Sequence, residues 1–187
     1  MTQKLTGMEV AIIGISGRFP KSDNQFELWE NLINENECID FYSLEELIKM
    51  GCDPDRVNSP DYVPANAFIN NKDKFQPSFF GYSPKEASVM APQLRIFHEL
   101  VWECLEDAGY NPFLYKDLIG LYGGASHTTY WENLTHLSGK SEEIGGFDAE
   151  HLNSKDALCT KVAYNLNLRG PAIAIQTECS TGLVAVH

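Results

Sequence analysis

From Gly170 to His187 the chain reads Gly-Pro-Ala-Ile-Ala-Ile-Gln-Thr-Glu-Cys-Ser-Thr-Gly-Leu-Val-Ala-Val-His, which fits a buried strand, a sharp turn and the start of a helix. Gly170 and Pro171 punctuate its beginning, and Ile173 and Ile175 are β-branched and apolar. After Gly182 an apolar run resumes that suits a core helix. Cys179 falls at the junction. The unpaired N–H groups and positive dipole end of a helix stabilise a thiolate, the nucleophilic form of cysteine. The same N–H groups can hold the oxygen of a thioester carbonyl as it becomes tetrahedral, so one turn would supply attacker and oxyanion site together. That combination suits acyl transfer.

The preceding chain alternates strand-like and helix-like segments. Val10-Ala-Ile-Ile13, ended by Gly14, reads as a buried first strand. A dinucleotide-binding loop would need a glycine where Ser16 stands, which excludes that reading of Gly14-Ile-Ser-Gly17. Ser22, Asp23 and Asn24 offer capping oxygens for a helix in which Phe26, Trp29, Leu32 and Ile33 form one apolar stripe, expected to face the core. From Ile39 to Lys74 the pattern predicts a short helix over Ser43–Met50 within an irregular, exposed excursion.

Phe75-Gln-Pro-Ser-Phe-Phe80 is aromatic enough to pack, and Ser83-Pro-Lys-Glu86 is a capping box with proline at the first helical position. Met90, Leu94, Phe97, Val101, Cys104 and Ala108 keep helical spacing until Gly109, with Pro92 dividing the run. Leu118–Tyr122, closed by Gly123-Gly124, predicts the next buried strand, and Ser126–Phe147 a surface loop with a short helix. Ser154 is placed to cap a helix carrying Leu158, Val162 and Leu166. Strands alternating with helices predict an α/β fold with a mostly parallel core sheet covered by helices.

A net charge of −12 from 26 acidic and 14 basic side chains argues against nucleic acid or anionic membrane as general partners. No apolar run reaches the roughly 20 residues of a membrane helix, and the opening Met1–Gly7 lacks a secretory pattern, so a cytoplasmic protein is expected. Five cysteines without regular spacing predict unpaired thiols, with Cys104 and Cys159 as core residues and no zinc site. His98, His127, His136, His151 and His187 are read as structural or solvated, because no local pattern places a base beside the thiol.

The segment around Cys179 closely resembles the nucleophile region of β-ketoacyl synthases, especially ketosynthase domains of modular polyketide synthases and of hybrid polyketide/nonribosomal peptide synthases. Ala11-Ile-Ile-Gly-Ile-Ser-Gly-Arg-Phe-Pro20, Phe26-Glu-Leu-Trp-Glu-Asn-Leu32, Met90-Ala-Pro-Gln-Leu-Arg95, Trp102-Glu-Cys-Leu-Glu-Asp-Ala-Gly109 and Tyr164-Asn-Leu-Asn-Leu-Arg-Gly-Pro171 follow that family's order. The resemblance implies a thiolase-like fold of which residues 1–187 are the N-terminal portion, ending inside the nucleophile helix. It implies that Cys179 takes an acyl chain from phosphopantetheine on an acyl carrier protein, with no metal and no cofactor bound directly. In the complete homodimeric enzyme that chain would be condensed with malonyl-carrier protein. The remainder of the domain, with two histidines that assist decarboxylation and condensation, is then expected in the same or another chain.

Two departures qualify the match. The family commonly has Asp-Thr-Ala-Cys-Ser-Ser-Ser where this chain has Gln176-Thr-Glu-Cys-Ser-Thr-Gly182, and Ala91 replaces the usual aspartate of Met-Asp-Pro-Gln. A carboxylate beside the nucleophile opposes thiolate formation unless it points away or is paired, so Glu178 is expected to face a subunit contact. The departures leave open a non-elongating ketosynthase-like half that serves binding or assembly and needs a second chain. A cysteine hydrolase is the third reading, disfavoured by the lack of a local base.

Overall fold

The computed structural model describes Gly7 and residues 9–187; the rest of the Met1–Gly7 stretch lies outside the described residues. The chain forms two compact units, one of Gly17–Asn71 and one of Lys72–His187 together with the chain through Ser16.

In the Gly17–Asn71 unit, α1 (Gln25–Ile33) starts where the Asn24 side chain accepts from the N–H groups of Phe26 and Glu27, each at 2.9 Å. Strand β1 (Asp40–Phe41) pairs antiparallel with β2 (Ala65–Asn66), and between them lie α2 (Leu44–Lys49) and α3 (Pro54–Val57). Helix α2 carries a full capping box, with Ser43 and Glu46 satisfying each other's backbone donors. Its Leu47 and the Val57 of α3 are buried. The apolar stripe of α1 is not core, contrary to its periodicity: Phe26 is 73% and Trp29 62% exposed. Spacing identifies an apolar face but cannot say whether another element covers it.

In the larger unit the capping box of Ser83 and Glu86 opens α4 (Pro84–Val89), and α5 (Pro92–Asp107) follows after the break at Met90 and Ala91. Proline at the first position of each helix costs no hydrogen bond, because that N–H has no intrahelical acceptor. Helix α5 ends at Gly109, whose φ of +75° reverses the chain. Met90, Leu94, Leu152, Leu158, Val162 and Leu166 form the buried core, with Phe80 beside them. His98 is fully buried among these groups, and Cys159 is buried as expected, whereas Cys104 is only partly covered.

Strand β3 (Leu121–Gly123) opens into α6 (Thr129–Leu137), α7 (Lys140–Ile144) and α8 (Gly146–Asn153). The polarity of the stretch after β3 predicts mostly loop, and tertiary contacts override that expectation. Trp131 donates from Nε1 to the Val89 carbonyl at 2.8 Å, and α7 and α8 both pack on α4. A 3₁₀ turn (Lys155–Ala157) leads into α9 (Leu158–Asn165), and Ser154 makes no side-chain cap there, contrary to expectation. Strand β4 (Ala172–Ala174) then lies parallel to β3, with Tyr122 opposite Ile173, and α10 (Thr181–Val186) completes the described chain.

The architecture is α/β, and the parallel pair is flanked by α9 and α10. Two strand expectations need correction. Strand β3 begins at Leu121, and Leu118 is largely exposed. Val10–Ile13 forms no strand among the described residues, with Val10 84% and Ile12 86% exposed. The chain there is tied to α5 instead, through Ile15 N–H to Asp107 at 2.9 Å and Ser16 Oγ to the Leu100 carbonyl at 2.7 Å. A β-branched run becomes a strand only with a ladder partner, and none lies beside this one among the described residues.

Candidate active site

The carboxyl ends of β3 and β4 form the floor of the site. Ile175 N–H donates to the Gly123 carbonyl at 2.8 Å, extending the strand pairing to the edge of the next turn. Gly124 follows, and only glycine fits there: a Cβ would collide with the Ile175 carbonyl oxygen and stand 2.6 Å from Thr181 Cγ2. The absence of a side chain at Gly124 lets the segment after β3 and the turn after β4 meet.

That turn is a single 3₁₀ turn, Glu178–Ser180, running directly into α10. Thr177 N–H donates to Thr181 Oγ1 at 3.0 Å, and Ser180 Oγ donates to the Thr177 carbonyl at 2.7 Å. The first backbone bond of the turn joins Ser180 N–H to the Thr177 carbonyl, which leaves the N–H groups of Glu178 and Cys179 without an intrahelical acceptor. Glu178 has φ +53°, a left-handed conformation that a non-glycine residue seldom takes. Such local strain is held in place by surrounding bonds and concentrates at functional sites. Cys179, next in the chain, is exposed.

The thiol lies on the wall of an open cavity of about 500 Å³, shared with Gly124, Ala125, Ser126, His127, Lys155, Gln176, Glu178 and Thr181. The sequence alone points to Cys179 at this site; Glu178, expected to face a subunit contact, lines the same cavity. The sequence does not point to Ser126, His127 or Lys155, which come from two other segments. A signal for them exists: in open parallel sheets, sites gather beyond the carboxyl ends of the strands, and Ser126-His127 follows β3 directly. His127, expected to be structural or solvated, lines the thiol's cavity and pairs through Nε2 with Glu132 at 3.4 Å. Glu178 also stands on this wall, and no hydrogen bond or ion pair of its side chain occurs among the described residues.

The other histidines are elsewhere. His98 Nδ1 lies 2.7 Å from the Leu94 carbonyl, which only accepts, so Nδ1 carries the proton and Nε2 is left to accept from Asn165 and Tyr82 at 3.3 Å each. Burial pushes the His98 pKa down to about 4, and burial pushes Tyr82 up to about 12. His136 pairs with Glu142, and His151 stacks on Phe147. Among the described residues no group of three His, Cys, Asp or Glu side chains is placed to hold a metal, and no helix is long and apolar enough to cross a membrane.

The exposed thiol sits in a strained turn at the carboxyl end of the parallel strand pair, and the α/β fold is that of thiolase-like ketosynthase structures. The family model described as "Beta-ketoacyl synthase, N-terminal domain" matches residues 8–187, and the chain belongs to that family. It is 36% identical over 185 residues to a phenolphthiocerol/phthiocerol polyketide synthase of Mycobacterium tuberculosis, covering 95% of this chain and 12% of that protein. It is 40% identical over 182 residues to the polyketide synthase PksM of Bacillus subtilis, covering 95% of this chain and 4% of that one. Ketosynthase twelve of the bacillaene polyketide synthase from Bacillus amyloliquefaciens superposes with a TM-score of 0.82 at 37% identity, over 94% of this chain and 30% of that structure. The chain thus corresponds to the N-terminal portion of a polyketide-type ketosynthase and spans a small fraction of these relatives' length.

Proposed function

We propose that Cys179 is the acyl acceptor of a polyketide-type ketosynthase. The observation that carries this reading is the exposed Cys179 thiol, on the cavity wall and in a turn where the Glu178 and Cys179 N–H groups have no intrahelical acceptor, in a chain of the ketosynthase family. The thiolate attacks the carbonyl carbon of an acyl thioester carried by phosphopantetheine on an acyl carrier protein. The carbonyl oxygen gains negative charge, and the Cys179 N–H, which has no intrahelical acceptor, serves as its donor. Collapse of the tetrahedral intermediate forms the Cys179 thioester and breaks the bond to the pantetheine sulfur. That sulfur leaves as a thiol with the proton that Cys179 gave up.

In the complete synthase, a homodimer in the cytoplasm, the held chain undergoes decarboxylative condensation with malonyl-carrier protein. That step draws on groups supplied by the remainder of the domain. Phosphopantetheine arrives on the partner, so no resident cofactor or metal is required.

Intact-mass analysis of the protein incubated with an acyl-phosphopantetheinyl carrier protein tests the reading. One acyl group on the wild type and none on Cys179→Ala is the expected result. Unmodified wild type with retained carrier binding would point instead to an assembly role.

A further inference from the structure

Most residues on the wall around Cys179 carry a polar side-chain group. Ala125 is the one hydrocarbon side chain among the lining residues; Gly124 has none, Cys179 carries the thiol, and the rest carry hydroxyl, amide, imidazole, ammonium or carboxylate groups. Two of the ionisable groups have partners: His127 with Glu132 at 3.4 Å, and Lys155 with Asp156 at 2.9 Å. Glu178 has none among the described residues. The unmatched charge beside the thiol is therefore negative, on a residue whose Cα lies about 3.8 Å from that of Cys179. Its left-handed backbone is fixed by the bonds that close the turn.

A carboxylate in this position discriminates among chains entering the cavity. A purely aliphatic acyl group would desolvate it without offering a donor, and an anionic one would repel it. An ammonium group on the chain supplies donor and opposite charge together.

Resting on the reading of Cys179 as acyl acceptor, we infer that Glu178 makes this cavity selective for acyl thioesters bearing an amino group near the thioester end. The carboxylate also gives a reason for the departure from the commoner alanine before the cysteine. Its electrostatic cost to the thiolate is offset when the substrate's own cation arrives.

The test uses near-isosteric probes, β-alanyl- and butanoyl-pantetheine, which differ by an amine in place of a terminal methyl. Rates of Cys179 acylation on the full chain are read by intact mass. Because Glu178 is exposed, the preference for β-alanyl should be about fivefold, the scale of a solvent-exposed ion pair. It should shrink toward unity in Glu178→Gln and turn toward succinyl-pantetheine in Glu178→Lys. These surface substitutions leave the packed core untouched. Equal wild-type rates, or a preference that persists in Glu178→Gln, would overturn the selectivity while leaving the acyl-acceptor reading intact. Acylation by none of the probes would overturn both.

Discussion

Thr181 Oγ1 accepts the Thr177 N–H at 3.0 Å, tying the first residue of α10 back across the turn that holds Cys179. Thr181→Val keeps the shape and removes the acceptor. Losing one such bond is worth about 1 kcal/mol, so iodoacetamide should alkylate Cys179 at a rate changed by about fivefold or less, while acyl transfer slows by a similar factor. Parallel alkylation and acylation time courses check this.

Gly124 allows a closer approach than any other residue would. Gly124→Ala places a methyl against the Ile175 carbonyl and the Thr181 methyl. Overpacking of this kind costs about 1–3 kcal/mol, and here it must push the thiol's turn away from β3. Thermal melting should show a lowered Tm, and Cys179 acylation should fall more than the Tm shift alone explains.

His98 makes stability depend on pH. Its folded-state pKa of about 4 lies below the ordinary 6.5, chiefly because of burial, with the nearby Lys161 charge adding to the depression. The neutral form is favoured in the fold, so the contribution is complete above pH 6.5. It is lost as pH falls toward 4, where the unfolded chain binds a proton that the folded one refuses. The loss approaches about 3 kcal/mol at pH 4. Urea titrations at pH 7 and pH 4.5 should show the decline, and His98→Gln should flatten it.

The apolar stripe of α1 contributes little to the stability of this chain. Trp29→Gln should change the unfolding free energy by less than about 0.5 kcal/mol, as surface substitutions do. Leu94→Ala, in the core, should cost about 2–5 kcal/mol. Denaturant unfolding of the two variants side by side tests the contrast between periodicity and actual burial.

What could be read from the sequence followed the range of the interactions involved. The capping box at Ser83–Glu86 closes within one turn, so four residues suffice to recognise it, and it forms as expected. Pro92 divides the long helical run for the same local reason. Val10–Ile13 failed because strand formation depends on a neighbour elsewhere in the chain. After β3 the sequence predicts a loop with one short helix where three helices form, because the tryptophan that anchors the first of them reaches a carbonyl 42 residues away. The site shows the same division: Cys179 is legible, whereas Ser126, His127 and Lys155 come from other segments and meet it only in the folded chain.

The pairing of β3 with β4 is only two strands wide among the described residues, so each strand has an outer side with unused backbone donors and acceptors. Such margins can template self-association as readily as correct docking. With a net charge of −12, two copies approaching edge to edge repel each other over roughly a Debye length, about 8 Å at physiological salt. Raising the ionic strength removes that protection, so salt sets how long the open margins stay apart.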